Sequence, residues 1–232
     1  MKNLIKNPFV GSNLQKVAVV ILCMVFLARS FASCVKNEET EGTEEDDTLF
    51  YYCFDEKIFF QQIKDKIYLK FTQEAQEEQL ISIVNSDASL QPTSYIYLGE
   101  GTFRFVVLES KDGLQIPLAA IESFKTRQEV VSATYLLLYN GIYFQGLTDE
   151  FVVKLKETTS NEQLQKLAEK NGCKVGAEDS YVKNQFMMYV SKNSKSDAMK
   201  LSNLFYETGL FEFAEPNLVV LLVDENQKSE KP

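Results

Sequence analysis

From Phe151 to Ala214 the chain alternates between two incompatible hydrophobic periods, and that alternation limits the folds open to it. Phe151-Val-Val-Lys-Leu-Lys156 has the β-branched, aromatic character of a strand. Ser160 and Gln163 form a capping box that opens a helix carrying Leu164, Leu167 and Ala168 on one face, and Asn171-Gly172 stops it. Two strands follow, Cys173 to Val175 extending towards Val182 and Gln185 to Val190, with Glu178, Asp179 and Ser180 in the turn between them. A second helix starts near Ser196-Asp197, places Ala198, Leu201, Leu204 and Phe205 along one stripe, and ends at Thr208-Gly209. Leu210 to Ala214 is the last strand, Glu215-Pro216-Asn217 a turn, and Leu218 to Val223 a further apolar stretch. The order βαββαβ predicts a four-stranded antiparallel sheet with two helices on one face, the ferredoxin-like arrangement.

The same order is written once before, less tidily. Ile67 to Phe71 is a strand, Glu74 to Asn85 a helix with Leu80, Ile81 and Val84 inward, and Tyr95 to Leu98 and Thr102 to Leu108 are strands. Pro117 opens a shorter helix through Phe124, Val130 to Tyr139 closes the sheet, and Asn140-Gly141 makes a type I′ turn into Ile142-Tyr-Phe144. Upstream, Leu49 to Phe54 and Lys57 to Gln62 around Asp55-Glu56 read as an opening hairpin. The expected class is α+β: two ferredoxin-like units in tandem, residues 49–146 and 147–223, preceded by that hairpin, with a short tail over 224–232.

Residues 1–33 have the shape of an export signal: Lys2, Lys6 and Lys16, then the apolar run Val17 to Ala28, then small residues. The run has 12 residues, short of the ~20 needed to span a bilayer. Phe31-Ala32-Ser33-Cys34 resembles the bacterial lipoprotein cleavage box, which implies lipidation of Cys34; Phe31 and the late Arg29 depart from the usual pattern. Ordinary secretion with nearby cleavage is the alternative. Seven carboxylates against one lysine lie between Val35 and Thr48, giving a segment charge of −6; such a run has little to bury and reads as a solvated acidic tether over 34–48. The expected location is the bacterial envelope, lipid-anchored to the outer membrane. Cys53 and Cys173 remain for the folded part, either paired or as single thiols.

Histidine is absent, and the net charge is −9. Without imidazole, serine or cysteine triads and histidine-based metal sites are excluded, and no spacing among the 33 acids singles out a hydrolytic pair. The chain is expected not to be an enzyme, and no cofactor is expected. The acidic balance argues against nucleic acid, whose backbone is bound by clustered Lys and Arg.

Leu204-Phe-Tyr-Glu-Thr-Gly-Leu-Phe-Glu-Phe-Ala-Glu-Pro-Asn217, with the opening strand 151–156 and the helix up to Gly172, resembles the amino-terminal prodomains of secreted subtilisin-like serine proteases, the fervidolysin type in particular. The hairpin and the first copy are similar to the long pre-regions of such proteases. After Val223 only nine residues remain, and no catalytic domain is expected among them. The resemblance implies a protein partner, a subtilisin-like protease, bound through the sheet's open face and by an extended carboxy-terminal segment, with the membrane reached only through the lipid anchor. On that reading the Glu215-Pro216-Asn217 turn aims the tail, Leu218 begins the segment laid in the cleft, and Glu178 and Asp179 approach helix amino termini. The plainer alternatives are a solvated turn at Glu178-Asp179, a strand-ending Pro216, and an internal strand from Leu218. At the level of the whole chain, a non-inhibitory surface-binding module or the remnant of a protease stands beside the inhibitor.

Overall fold

The computed structural model describes residues 49–97 and 103–221; the expected signal, Cys34, the acidic tether and the tail lie outside the described residues. The protein is α+β, with two ferredoxin-like units in tandem preceded by a hairpin. The hairpin strand β1 is Leu49–Cys53. The first unit runs β2 (Glu56–Phe71), α1 (Glu77–Val84), β3 (Leu90–Tyr97), β4 (Phe103–Ser110), α2 (Leu118–Lys125) and β5 (Val130–Tyr139). The second runs β6 (Tyr143–Leu155), α3 (Asn161–Asn171), β7 (Lys174–Glu178), β8 (Gln185–Tyr189), α4 (Ala198–Glu207) and β9 (Phe211–Leu221). Strand order is β5-β2-β4-β3 in the first unit and β9-β6-β8-β7 in the second. In both, the fourth strand of the unit lies outside the first, and the third sits between first and second.

Local chemistry sets many boundaries as expected. Ser160 and Gln163 close the capping box of α3, and Gly172 ends it in the left-handed region at φ 72°. Asp197 caps α4 by accepting from the Lys200 amide at 2.9 Å. Asn140 and Gly141 take φ of 51° and 69°, the type I′ geometry that matches the twist of paired strands. The first hairpin turns the same way one residue earlier than expected, on Phe54 and Asp55 at φ 46° and 68°.

The larger departures lie where strands continue. β2 joins the hairpin strand to the first unit's opening strand, and β6 likewise joins Tyr143–Leu147 to Phe151–Leu155. In each, a polar triplet forms a bulge: the register jumps between Ile63 and Ile67 across Lys64-Asp65-Lys66, and between Leu147 and Phe151 across Thr148-Asp149-Glu150. A bulge absorbs residues without ending a strand, so charge here marks a bend where a loop was expected. The expected boundary at 146/147 accordingly falls inside β6. β3 begins at Leu90 and carries Pro92 on the outermost strand of its sheet, where a missing N–H costs no ladder bond.

Two helix-on-sheet cores result. Ile67, Leu69 and Phe71 meet Leu80, Ile83, Ile121 and Phe124 in the first; Phe151, Val153 and Leu155 meet Leu164, Ala168, Leu201 and Phe205 in the second. Helix phase departs from expectation at two positions: Ile81 is 45% exposed while Ile83 is buried, and Leu204 is 40% exposed while Met199 and Ser202 are buried. The hairpin extends the second core through Phe60, Leu49 and Tyr51. It is held to α4 by Asn203, whose side chain accepts from the Tyr52 amide at 3.3 Å and donates to the Phe50 carbonyl at 2.7 Å. Tyr52 also stacks on Tyr206 at 4.6 Å.

Candidate functional site

The two units are equivalent in sequence order but not in what covers them. Strand residues alternate between faces, so Tyr68 and Lys70 of β2 point away from the first unit's helices, as Val152 and Lys154 of β6 point away from the second's. In the first unit this face is filled. Tyr68, Phe105, Val107 and Leu136 pack with Val219, Phe144 and Leu221 of the following unit. The Tyr68 ring lies on the backbone of Gly146, where an added Cβ would stand 2.4 Å from it. Lys70 reaches the β6 bulge, with its Nζ 2.5 Å from Asp149 and 3.1 Å from Glu150. Burial first, then the Asp149 and Glu150 charges, hold the Tyr68 phenol well above its ordinary range.

In the second unit the corresponding face is open. Val152 lies opposite Met187 and Glu215, and Lys154 opposite Gln185 and Phe213. Val152, Met187 and Phe213 are half-buried and Tyr189 is 37% exposed, against 0%, 3% and 4% for Tyr68, Val107 and Phe105. A half-covered strip of Val, Met, Phe and Tyr edged by Lys154 and Glu212, themselves paired at 3.0 Å, is the composition of a protein-docking surface.

The residues singled out from the sequence fall elsewhere. Glu178 and Asp179 are exposed but engaged by their own turn: Glu178 accepts from the Asn184 amide at 2.6 Å, and Asp179 from the Tyr181 and Val182 amides at 2.8 and 2.9 Å. Glu215-Pro216-Asn217 is no turn. β9 runs straight through it, with Pro216 buried opposite Phe151 and Leu218 paired to Leu147. β9 is the outer strand of its unit, so Pro216 loses no bond to a further strand. Asn217 donates from its amide to Glu150 at 2.8 Å while its carbonyl accepts from Thr148 at 2.8 Å. The run therefore fastens the β6 bulge, and Leu218 to Leu221 are sheet, not a displayed segment; Leu222 and Val223 lie outside the described residues. Sequence reading missed Lys70 and the bulge, whose one visible mark is the polar triplet inside an apolar strand.

Cys53 and Cys173 are both free thiols, not a disulfide. Burial, then the neighbouring Glu215 carboxylate, pushes the Cys53 thiol up to about 11. Burial also raises Glu215, partly offset by a hydrogen bond from Cys53. A carboxyl raised in the folded state favours folding while protonated, and loses that contribution as pH rises through its folded value. Glu215→Gln should therefore raise the melting temperature at pH 7, and the gain should shrink as the pH is lowered towards 4, the range in which an unfolded glutamate takes up its proton. An equal gain at every pH would contradict it.

No family model matches this chain, and no curated protein matches it. A solved structure described as an Sxl-lethal protein/RNA complex aligns at 12% identity over 69% of this chain and 99% of that chain, with a TM-score of 0.30. The exclusion of nucleic acid drawn from net charge is withdrawn, because the sign of a whole chain does not fix the sign of any one patch on its surface. A likeness this low brings no binding role to this chain.

Proposed function

We propose that this protein is a prodomain-like envelope lipoprotein that binds a subtilisin-like serine protease, and inhibits or chaperones it, through the open face of its second sheet. The observation that carries the reading is the asymmetry between the units. The surface that Tyr68 and Val107 bury against β6 and β9 has its counterpart at Val152 and Met187, which are half-covered where the first unit's are closed. The second support is the resemblance of Leu204 to Asn217 to a protease prodomain ending. On this reading the face, not the segment 218–221, makes the contact, since those four residues are already paired with β6. Cys34 would anchor the chain by lipid.

The reading is tested by titrating the full chain, in detergent, against a panel of subtilisin-type proteases. A complex is expected, and Val152→Asp with Met187→Asp should weaken it by about 100-fold, the range for central interface positions. Their side chains point out of the core, so the melting temperature should hold. Digestion without a complex, or a complex indifferent to both substitutions, would reject the proposal.

A further inference from the structure

β5 pairs with β6 only over Leu137–Tyr139, and upstream of that the two strands part. The gap is a cleft of about 630 Å³ between α2 and β5 on one side and the β8–α4 connection on the other. Among the described residues, β5 has no ladder partner on this side from Val130 to Leu136. Ser132 and Thr134 line the cleft, and the Thr134 hydroxyl is buried without a hydrogen-bond partner.

The rim is cationic in a chain whose net charge is −9. Lys125, Lys192, Lys195 and Lys200 surround the cleft with Glu122, Asp149 and Asp197. Each of these acids is already engaged within the fold: Glu122 with Lys125 at 2.8 Å, Asp149 with Lys70 at 2.5 Å, and Asp197 with the Lys200 amide at 2.9 Å. Lys192 donates to the Thr126 and Arg127 carbonyls. Lys192, Lys195 and Lys200 thus face the cleft with no carboxylate partner among the described residues.

The chain's own course supplies an anion. β1 runs beside α4 in the same direction, since Phe50 and Tyr52 meet Asn203 through the backbone and the Tyr52 ring then meets Tyr206. β1 therefore begins, at Leu49, on the side of the amino end of α4. Lys200 and Asp197 lie one to two turns before Asn203, about 5 to 9 Å along the helix. Asp46 and Asp47 precede Phe50 by four and three residues, a reach of at most about 14 Å. Seven carboxylates lie between Glu38 and Asp47.

We propose that this acidic segment, residues 38–47, docks across the cleft against Lys192, Lys195 and Lys200, so that the stretch following the expected lipidation site is fastened to the seam between the two units. The attachment is electrostatic and intramolecular, favoured by the high effective concentration of a segment joined directly to β1 and weakened by salt.

Zero-length carbodiimide coupling of the dilute full chain in detergent, followed by peptide mapping, tests this. Glu44, Glu45, Asp46 and Asp47 should join to Lys192, Lys195 or Lys200 within one molecule. The yield should fall about tenfold at roughly 0.5 M salt, where screening shortens to a few ångströms. Lys192→Gln with Lys195→Gln and Lys200→Gln should abolish those products while the circular dichroism spectrum shows the fold retained. Coupling spread evenly over lysines elsewhere, such as Lys57 and Lys111, would overturn the proposal. So would coupling of the three lysines to an added polyglutamate peptide but not to residues 44–47, which would assign the cleft to an acidic partner.

Discussion

Phe205→Ala should cost about 4 kcal/mol, enough to unfold much of the second unit at 37 °C, because removal of a fully buried aromatic leaves both lost transfer energy and a cavity. The ring has no exposed area and sits edge-on to Phe151 at 5.1 Å and tilted against Phe211 at 5.5 Å. It therefore ties α4 to the first and last strands of its unit at once. The adjacent Leu204 supplies the control: 40% exposed, its replacement by Ala should stay within about 0.5 kcal/mol. Urea unfolding monitored by circular dichroism measures both. Equal losses at the two positions would mean that the helix sits in a different phase.

Gly146→Ala should cost about 1 to 3 kcal/mol despite adding one methyl group, because overpacking a closed core forces the backbone to move. The new carbon would stand 2.4 Å from two carbons of the Tyr68 ring, a separation no packed structure tolerates. The ring cannot swing aside, since it is wholly buried, lies 5.8 Å from Phe105 in a stacked arrangement, and is flanked by Val107 and Leu136. β6 must lift from β2, and the ion pairs from Lys70 to Asp149 and Glu150 loosen with it. A double-mutant cycle isolates the cause. Tyr68→Leu gives back the space, so the pair should be less destabilised than the two single changes together. Strict additivity would show that Gly146 is needed for some reason other than the ring.

Much of the fold was written locally. The capping box at Ser160 and Gln163, the Asn140-Gly141 turn and the limits of β5 follow from a few neighbouring residues. What escaped was decided at long range. Lys64-Asp65-Lys66 and Thr148-Asp149-Glu150 have loop composition, yet each is a bulge because the flanking residues already have partners on both sides. Glu215-Pro216-Asn217 has turn composition, yet an outer strand carries Pro216 without loss. Ile81 and Leu204 stand beside equally apolar or small neighbours, and 3.6-residue spacing cannot say which of two adjacent residues faces the sheet. The candidate site was the least legible part. Openness at Val152 and closure at Tyr68 depend on contacts between residues far apart in the chain, such as Tyr68 with Gly146, and alternation along a strand is the same in both.

The Asn203 side chain that fastens the hairpin to α4 also bears on how the protein behaves when crowded. A two-stranded ribbon has one rim of amide and carbonyl groups left over, which is a template for pairing with another chain. Asn203 presents a donor and an acceptor at the spacing of a neighbouring strand and occupies the middle of that rim. Pro92 spoils the rim of β3, and the register shift between Val175 and Glu178 bends that of β7. These three margins of the sheet among the described residues are thus blunted by three different devices, which guards it against growing into fibres at high concentration.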